Sequence, residues 1–261
     1  MRKLFWSTSL LFAFLTAGFA QEAYLPEVNQ AHQVYVYSNE AVVRDAPYGE
    51  VTGRIPIGLQ MTIETVVDMT EFRGEEDFWF EVSFYYRGRM RNGYVWYAHL
   101  AKFGLEGPEG VYFLYRENSD QRAKIRVTRD GRLLDELAYD MPGGQVHRPS
   151  IQDDRGVEGW ANILTIPYSK VGCNIFSGNV LLAWDSSDLH YIGLSNVDQN
   201  TTHEDIWMGN ASINYVFPKD EGGRKGHILR VEKMPDRDKQ IISEQFSVLK
   251  WTEKGLIQIE E

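Results

Sequence analysis

The sequence predicts an all-β protein. Short runs rich in β-branched and aromatic residues recur along the 261 residues, and turn dipeptides such as Asp130-Gly131 separate them. Aromatic residues make up 13% of the chain and hydrophobic residues 43%, which excludes general intrinsic disorder. A chain of this length accommodates two modest domains. We therefore expect a small N-terminal barrel followed by an antiparallel β-rich domain, either a sandwich or an open barrel.

Residues 1–20 have the pattern of a cleaved export signal. Arg2 and Lys3 precede an apolar run over residues 10–14, and a small residue, Ala20, ends the segment. The apolar run is shorter than the ~20 residues that a membrane-spanning helix needs. Cleavage after Ala20 is expected to release a periplasmic or extracellular protein that is not inserted in a membrane.

The chain is acidic, with 37 Asp and Glu residues, 27 Lys and Arg residues and a formal net charge of -10. Phosphate backbones bind to clustered basic side chains, because these release condensed counterions. No such basic cluster stands out in the sequence. Nucleic acid is therefore not an expected partner.

Residues 34–101 contain a regular succession of predicted strands and turns. Strands are predicted over residues 34–37, 41–43 and 58–66. The segment between the second and third strand contains Pro47, which presets one backbone dihedral, and Gly49, which permits a positive one. A loop tip is therefore expected there. A charged hairpin loop over residues 72–77 leads into the next strand.

The strand over residues 79–85 gives the sharpest prediction of a site, because side chains alternate between the two faces of a strand. One face is apolar and is expected to be core: Phe80, Val82 and Phe84. The other face is polar apart from two aromatic residues: Trp79, Glu81, Ser83 and Tyr85. A large aromatic side chain among polar ones is expected to be exposed, and exposed aromatic patches mark contact surfaces.

The order of these motifs resembles that of a bacterial SH3-type (SH3b) domain over residues 34–101. The motifs that carry the resemblance are Val43-Arg44, Pro47, the strand over residues 58–66, Trp79-Phe80-Glu81-Val82, Gly93-Tyr94-Val95 and Leu100. The resemblance implies an SH3-like barrel. It also implies a ligand groove, because the groove positions of the wider SH3 superfamily map onto Trp79, Trp96 and His99, with Tyr48 as a fourth wall.

Two of these four positions depart from the superfamily type, since Trp96 replaces a proline and His99 replaces a tyrosine. Proline-rich peptides are therefore not the expected ligand. Bacterial SH3-like domains commonly bind cell-wall peptides, and the resemblance implies that role here. The alternative is that Tyr48, Trp79 and Trp96 pack against the second domain.

Residues 104–110 have the Gly- and Pro-rich composition of a linker, which predicts an SH3-like domain over residues 21–103 and a β domain of no recognised family over residues 111–261. Strands of the second domain are predicted over residues 111–115, 124–128, 133–139, 163–168, 180–184, 189–194, 213–217, 228–232, 247–251 and 256–259. Hairpin turns are predicted at residues 130–131, 185–188 and 252–255. Residues 238–248 also fit a helix by their apolar spacing.

No catalytic residue, cofactor or metal ligand is predicted. Cell-wall cysteine peptidases of the NlpC type often carry SH3-like domains, so the resemblance draws attention to the single cysteine, Cys173. Cys173 has apolar neighbours and lacks the Asp-Cys-Ser setting of those enzymes, which favours a buried, inert thiol. The six histidines form no zinc-binding pair, and the acidic segments lack the spacing of a calcium loop.

These observations favour an exported, non-catalytic binding protein of the bacterial cell envelope. The expected partner is a peptidoglycan peptide or another envelope protein, bound at Tyr48, Trp79, Trp96 and His99. One alternative is a cell-wall hydrolase or peptidase with an unrecognised C-terminal catalytic domain. The other is a structural or inhibitory partner protein whose aromatic surface is covered in a complex.

Overall fold

The computed structural model describes residues 32–72, 75–117, 122–142, 144–170, 174–203, 206–208, 212–235, 242–252 and 255–259. Within these ranges the protein is all-β, as predicted, and the only helical segments are two 3-10 turns, Tyr97–His99 and Pro108–Gly110. The predicted export signal over residues 1–20 and the single Cys173 lie outside the described residues. No described helix is long and apolar enough to cross a membrane.

The first sheet is antiparallel and has six strands in the order β1-β4-β5-β6-β2-β3. Its strands are β1 (His32–Tyr35), β2 (Glu40–Arg44), β3 (Val51–Pro56), β4 (Gln60–Phe72), β5 (Glu75–Tyr86) and β6 (Arg89–Trp96). Strands β4, β5 and β6 form a meander of two hairpins, and β2 joins β6 at the pair Arg44 and Tyr94.

The core of the first sheet follows the predicted alternation along β5. Phe80, Val82 and Phe84 are buried, whereas Tyr85 on the opposite face is exposed. Val95 of β6 and Leu100 after the first 3-10 turn are also buried. The predicted core face of this strand is therefore confirmed.

The second sheet is an antiparallel meander of four strands in the order β10-β9-β8-β7. Its strands are β7 (Phe103–Glu106), β8 (Val111–Glu117), β9 (Arg122–Arg129) and β10 (Arg132–Asp140). The predicted hairpin between β9 and β10 turns at Asp130 and Gly131, with φ angles of 52° and 74°. An Asp-Gly pair suits this turn, because two successive positive φ angles match the twist of the flanking strands.

The third and fourth sheets are also antiparallel. The third contains β11 (Gln145–Val146), β12 (Ser150–Gln152), β13 (Asn162–Lys170), β14 (Asn174–Trp184), β15 (Leu189–His203) and β16 (Ile206–Met208). The fourth contains β17 (Ser212–Val216), β18 (Ile228–Pro235), β19 (Ile242–Thr252) and β20 (Gly255–Ile259). The predicted turn at residues 185–188 connects β14 to β15, and Thr252 and Gly255, which flank the predicted turn of the last hairpin, pair with each other.

The third sheet lies between the second and the fourth, so both of its faces are buried. Along β14, Leu182 and Trp184 pack with the core residues of the second sheet, whereas Leu181 and Ala183 pack with those of the fourth. This explains why the last five residues of β14, Val180 to Trp184, form an unbroken apolar run instead of an alternating one. The second half of the chain is therefore a stack of packed sheets.

Two arginines of the second sheet bind the backbone of the first. Arg116 of β8 donates from Nη1 to the carbonyl oxygens of Tyr97 and Leu100 at 2.8 and 2.6 Å, and its guanidinium lies over the Tyr97 ring. Arg126 of β9 donates to the Tyr37 carbonyl oxygen at 2.9 Å and lies over the Tyr37 ring. The charge-assisted hydrogen bonds of Arg116 hold the first 3-10 turn against the second sheet, and that of Arg126 holds the segment after β1.

Two parts of the structure differ from the sequence prediction. The helix fitted to residues 238–248 is wrong from Ile242 onward, because β19 pairs with β18 along its length. Residues 104–110, predicted as a linker, contain most of β7 and the second 3-10 turn, and β7 pairs with β8. In both places a neighbouring strand decides the conformation. The division into two domains stays a prediction.

Candidate functional site

The four residues predicted to form a ligand groove lie in one row on the first sheet. Trp79 of β5 and Trp96 of β6 are directly opposite each other in the antiparallel ladder. The Tyr48 ring meets Trp79 edge-on with ring centroids 5.3 Å apart, and the His99 ring meets Trp96 at 90° with centroids 5.9 Å apart. We call Tyr48, Trp79, Trp96 and His99 the aromatic row.

Tyr48 is held at one end of the aromatic row in an unusual backbone conformation. Its φ angle is 60° and its side chain is 46% exposed. A tyrosine in this left-handed region is strained by about 1–2 kcal/mol, because its Cβ crowds the following carbonyl. Strain of this kind concentrates at binding sites.

The loop around Tyr48 is built so that this conformation is kept. Arg44 donates a hydrogen bond to the Gly49 carbonyl oxygen, and the Gly49 amide donates to the Ala46 carbonyl oxygen at 2.9 Å. A Cβ on Gly49 would lie 2.1 Å from an Asp45 carboxylate oxygen, so a larger residue there would require the Asp45 side chain to move. These contacts support the loop that carries Tyr48.

The predicted exposure of Trp79 is wrong, since its side chain is only 3% exposed. Its face of β5 is otherwise accessible, as the exposed Tyr85 shows. Trp79 is buried because Tyr48 folds over it and because it sits in the middle of three strands, between Val67 of β4 and Trp96 of β6. The period of the strand placed Trp79 on the correct face, but the loop that covers it comes from elsewhere in the sequence.

His99 lies at the other end of the aromatic row and contacts Ser38. The Ser38 Oγ lies 3.0 Å from the Glu40 carbonyl oxygen and 2.9 Å from His99 Nδ1. When the hydroxyl donates to the Glu40 carbonyl oxygen, it accepts from Nδ1–H, and the neutral imidazole carries its lone pair on Nε2. In the other tautomer Nδ1 accepts from the hydroxyl and Nε2–H is a donor.

His99 is expected to make the stability of the protein depend on pH. Burial lowers the pKa of His99 below its ordinary value, and the nearby guanidinium groups of Arg116 and Arg44 lower it further. The unfolded chain then binds more protons than the folded protein between the two pKa values. The stability that neutral His99 contributes is therefore complete above about pH 6.5 and is lost as the pH falls from there toward the lower folded-state pKa.

This pH dependence is measured by urea denaturation of the protein and of His99→Asn at pH 7.5 and 5.0. The asparagine side chain offers Ser38 both a donor and an acceptor but does not titrate. The original protein should lose more free energy of unfolding between the two pH values than the variant, while the other histidines titrate equally in both. Equal losses would show that His99 titrates normally in the folded protein.

The arrangement around Asp185 brings a serine and a histidine to one carboxylate, at the turn between β14 and β15. His190 Nε2 lies 2.8 Å from Asp185 Oδ2, and Ser187 Oγ lies 2.8 Å from Asp185 Oδ1. A hydrolytic triad instead needs the serine hydroxyl on the histidine. Here the serine hydroxyl binds the carboxylates of Asp185 and Asp188. The cluster is a turn structure and supplies no activated nucleophile.

Asp185 itself is a strong acceptor in this turn. Burial alone would raise its pKa, but hydrogen bonds from the Asp188 amide, His190 and Ser187 outweigh burial and lower the pKa to about 2. His190 is therefore engaged with Asp185, and its ring lies edge-on to Trp251 with centroids 4.6 Å apart. Within the described ranges no group of three or more His, Cys, Asp or Glu side chains is placed to hold a metal ion.

A group of arginines that was not predicted from the sequence lies on the first sheet, near the turn between β5 and β6. Arg54 of β3 and Arg91 of β6 line the same cavity, and Arg87, at the turn between β5 and β6, lines the adjoining one with Arg54. Three arginines therefore meet at these two cavities. Sequence spacing does not predict this arrangement, because Arg54 lies more than 30 residues before Arg87 and Arg91 in the chain.

Comparisons of the chain with models of known families, with curated proteins and with solved structures each gave no match.

Proposed function

We propose that this chain is a non-catalytic binding protein of the bacterial cell envelope, whose SH3-like first sheet binds a short cell-wall peptide on the aromatic row. The observation that carries the proposal is the aromatic row. Its first residue, Tyr48, is half-exposed and held at a positive φ angle, and the row continues through Trp79 and Trp96 to His99. Aromatic rings of this kind supply most of the binding energy at peptide and protein contacts.

The chemistry of the row suits a peptide. The ring faces suit apolar atoms, and the His99 imidazole can form a hydrogen bond with a peptide backbone. The meander of β4 to β6 and the 3-10 turn that follows Trp96 support the SH3-like interpretation of this sheet. Export rests on the pattern of residues 1–20.

Tyr48 is the residue on which to test this proposal, because it is half-exposed and its truncation removes no core side chain. We expect Tyr48→Ala to reduce the affinity for purified peptidoglycan at least fivefold, which corresponds to the ~1 kcal/mol that marks a significant contact residue. Tyr48→Phe keeps the ring and should bind almost as the original protein does. The measurement is co-sedimentation of the protein with peptidoglycan over a range of concentrations.

The matched control is Tyr191→Ala. Tyr191 lies in the third sheet and is also 46% exposed, so this variant removes the same group from a surface outside the row. It should bind peptidoglycan with unchanged affinity. Absence of binding by the original protein, or equal binding by Tyr48→Ala, would contradict the proposal for a wall peptide on this row.

A further inference from the structure

The first sheet has a groove between its edge strand and the hairpin of β5 and β6. Strand β3 ends the sheet order, and within the described part of the chain no strand pairs with its outer side. Its residues form one wall of the groove, and Tyr86, Arg87, Arg91 and Asn92 form the other. The aromatic row is at the opposite end of β5, so the two surfaces are separate.

The deep part of the groove has a volume of about 270 Å³ and an apolar floor. Val43, Ile55 and Phe84 form this floor and are each at most 4% exposed. A Cβ on Gly53 would meet no atom within 4 Å, so the wall at β3 opens onto free space. The groove can therefore receive an apolar side chain.

The rim of the groove is basic although the whole protein is acidic. Arg87 and Arg91 are exposed, and neither forms an ion pair within the described ranges. Arg54 pairs with Glu40 at 2.9 Å, but both side chains are more than half exposed and such pairs contribute only about 0–1 kcal/mol. The rim therefore carries three arginines and one carboxylate, and it favours a ligand with carboxylates.

The outer edge of β3 can also bind the backbone of a ligand. Unpaired N–H and C=O groups of an edge strand accept an added strand, which binds by main-chain hydrogen bonds. In an extended peptide alternate side chains point the same way, so acidic residues can face the arginines while apolar residues face the floor. Strand β3 runs from Val51 to Pro56, and its length matches a peptide of about six residues at ~3.3 Å per residue.

From these observations we propose that the groove binds an extended acidic peptide, which adds to β3 and places carboxylates on Arg54, Arg87 and Arg91. A peptide is favoured over nucleic acid because its apolar side chains can contact the apolar floor, which has no counterpart in a phosphate backbone. The site is independent of the proposed binding at the aromatic row.

The test uses the purified protein and a fluorescein-labelled six-residue peptide of alternating Glu and Val, followed by fluorescence anisotropy. We expect saturable binding that weakens between 50 and 300 mM NaCl, since charge contacts are screened by salt. Arg91→Gln should weaken binding about tenfold, and Gly53→Val should weaken it similarly by filling the groove. The matched control, Arg132→Gln, removes an exposed arginine of β10 in the second sheet and should bind normally.

A Lys-Val peptide of the same length and a six-nucleotide single-stranded DNA serve as competing probes. Equal affinity for the Lys-Val peptide, unchanged affinity in both groove variants, or binding of the DNA alone would overturn the proposal. Tyr48→Ala should bind the Glu-Val peptide normally. A negative result for the acidic peptide therefore does not affect the test of peptidoglycan binding at the aromatic row. A negative result for peptidoglycan likewise does not affect the test of the groove.

Discussion

Trp184→Ala is expected to lower the free energy of unfolding by about 3–5 kcal/mol, the cost of truncating a large buried aromatic side chain. Trp184 ends β14 in the third sheet and is 2% exposed. Its ring meets Phe113 of the second sheet edge-on, with centroids 6.0 Å apart. Because it belongs to the core between these two sheets, its removal leaves a cavity that neither sheet can close alone.

Urea denaturation followed by circular dichroism measures this effect. Phe246→Ala is the control, since Phe246 is an aromatic residue of the fourth sheet that is 65% exposed. Its truncation should change the free energy of unfolding by no more than about 0.5 kcal/mol. A small effect of Trp184→Ala would mean that the second and third sheets do not share a core in solution.

Trp79→Ala is expected to have a comparable effect of about 3–5 kcal/mol, because the side chain is only 3% exposed. The sequence alone predicted the opposite result, a loss of ligand binding with an intact fold. In the structure Trp79 supports Tyr48 on one side and lies opposite Trp96 on the other. Its truncation removes the packing beneath the aromatic row.

The control for this variant is Tyr85→Ala, which removes an aromatic side chain from the same face of the same strand. Tyr85 is 65% exposed, so its truncation should cost no more than about 0.5 kcal/mol in the free energy of unfolding. If Trp79→Ala proved as stable as Tyr85→Ala, Trp79 would be a surface residue after all. A reduced affinity of that stable variant would then report directly on ligand contact.

The burial of Trp79 also changes how binding is best tested. A variant that unfolds loses every function, so lost binding by Trp79→Ala does not identify a contact. Tyr48 lies at the end of the row, so its truncation uncovers part of Trp79 but removes no core side chain. The comparison of Tyr48→Ala, Tyr48→Phe and Tyr191→Ala therefore separates binding from folding.

Most strands of the second half could be predicted from the sequence. Strands β8, β9, β10, β13, β14 and β15 cover the ranges that β-branched and aromatic runs indicated. The Asp130-Gly131 turn was equally predictable, since two adjacent residues supply the positive φ angles that it needs. These features are local, so the residues that cause them are neighbours in the chain.

Strands with a weaker local signal escaped prediction. Strand β3 contains Gly53 and ends at Pro56, and β7 contains Gly104 within a segment that resembles a linker. Glycine and proline disfavour strands on their own. Pairing with β2 and with β8 supplies the hydrogen bonds that make them strands.

The sequence by itself determined the all-β class, the alternation along β5 and the residues that could form the aromatic row. Only the tertiary structure decided that the Tyr48 loop covers Trp79, and that Arg54 joins Arg87 and Arg91 around one groove. The physical reason is that the period of a strand defines its two faces, whereas the segments that cover a face come from distant parts of the chain.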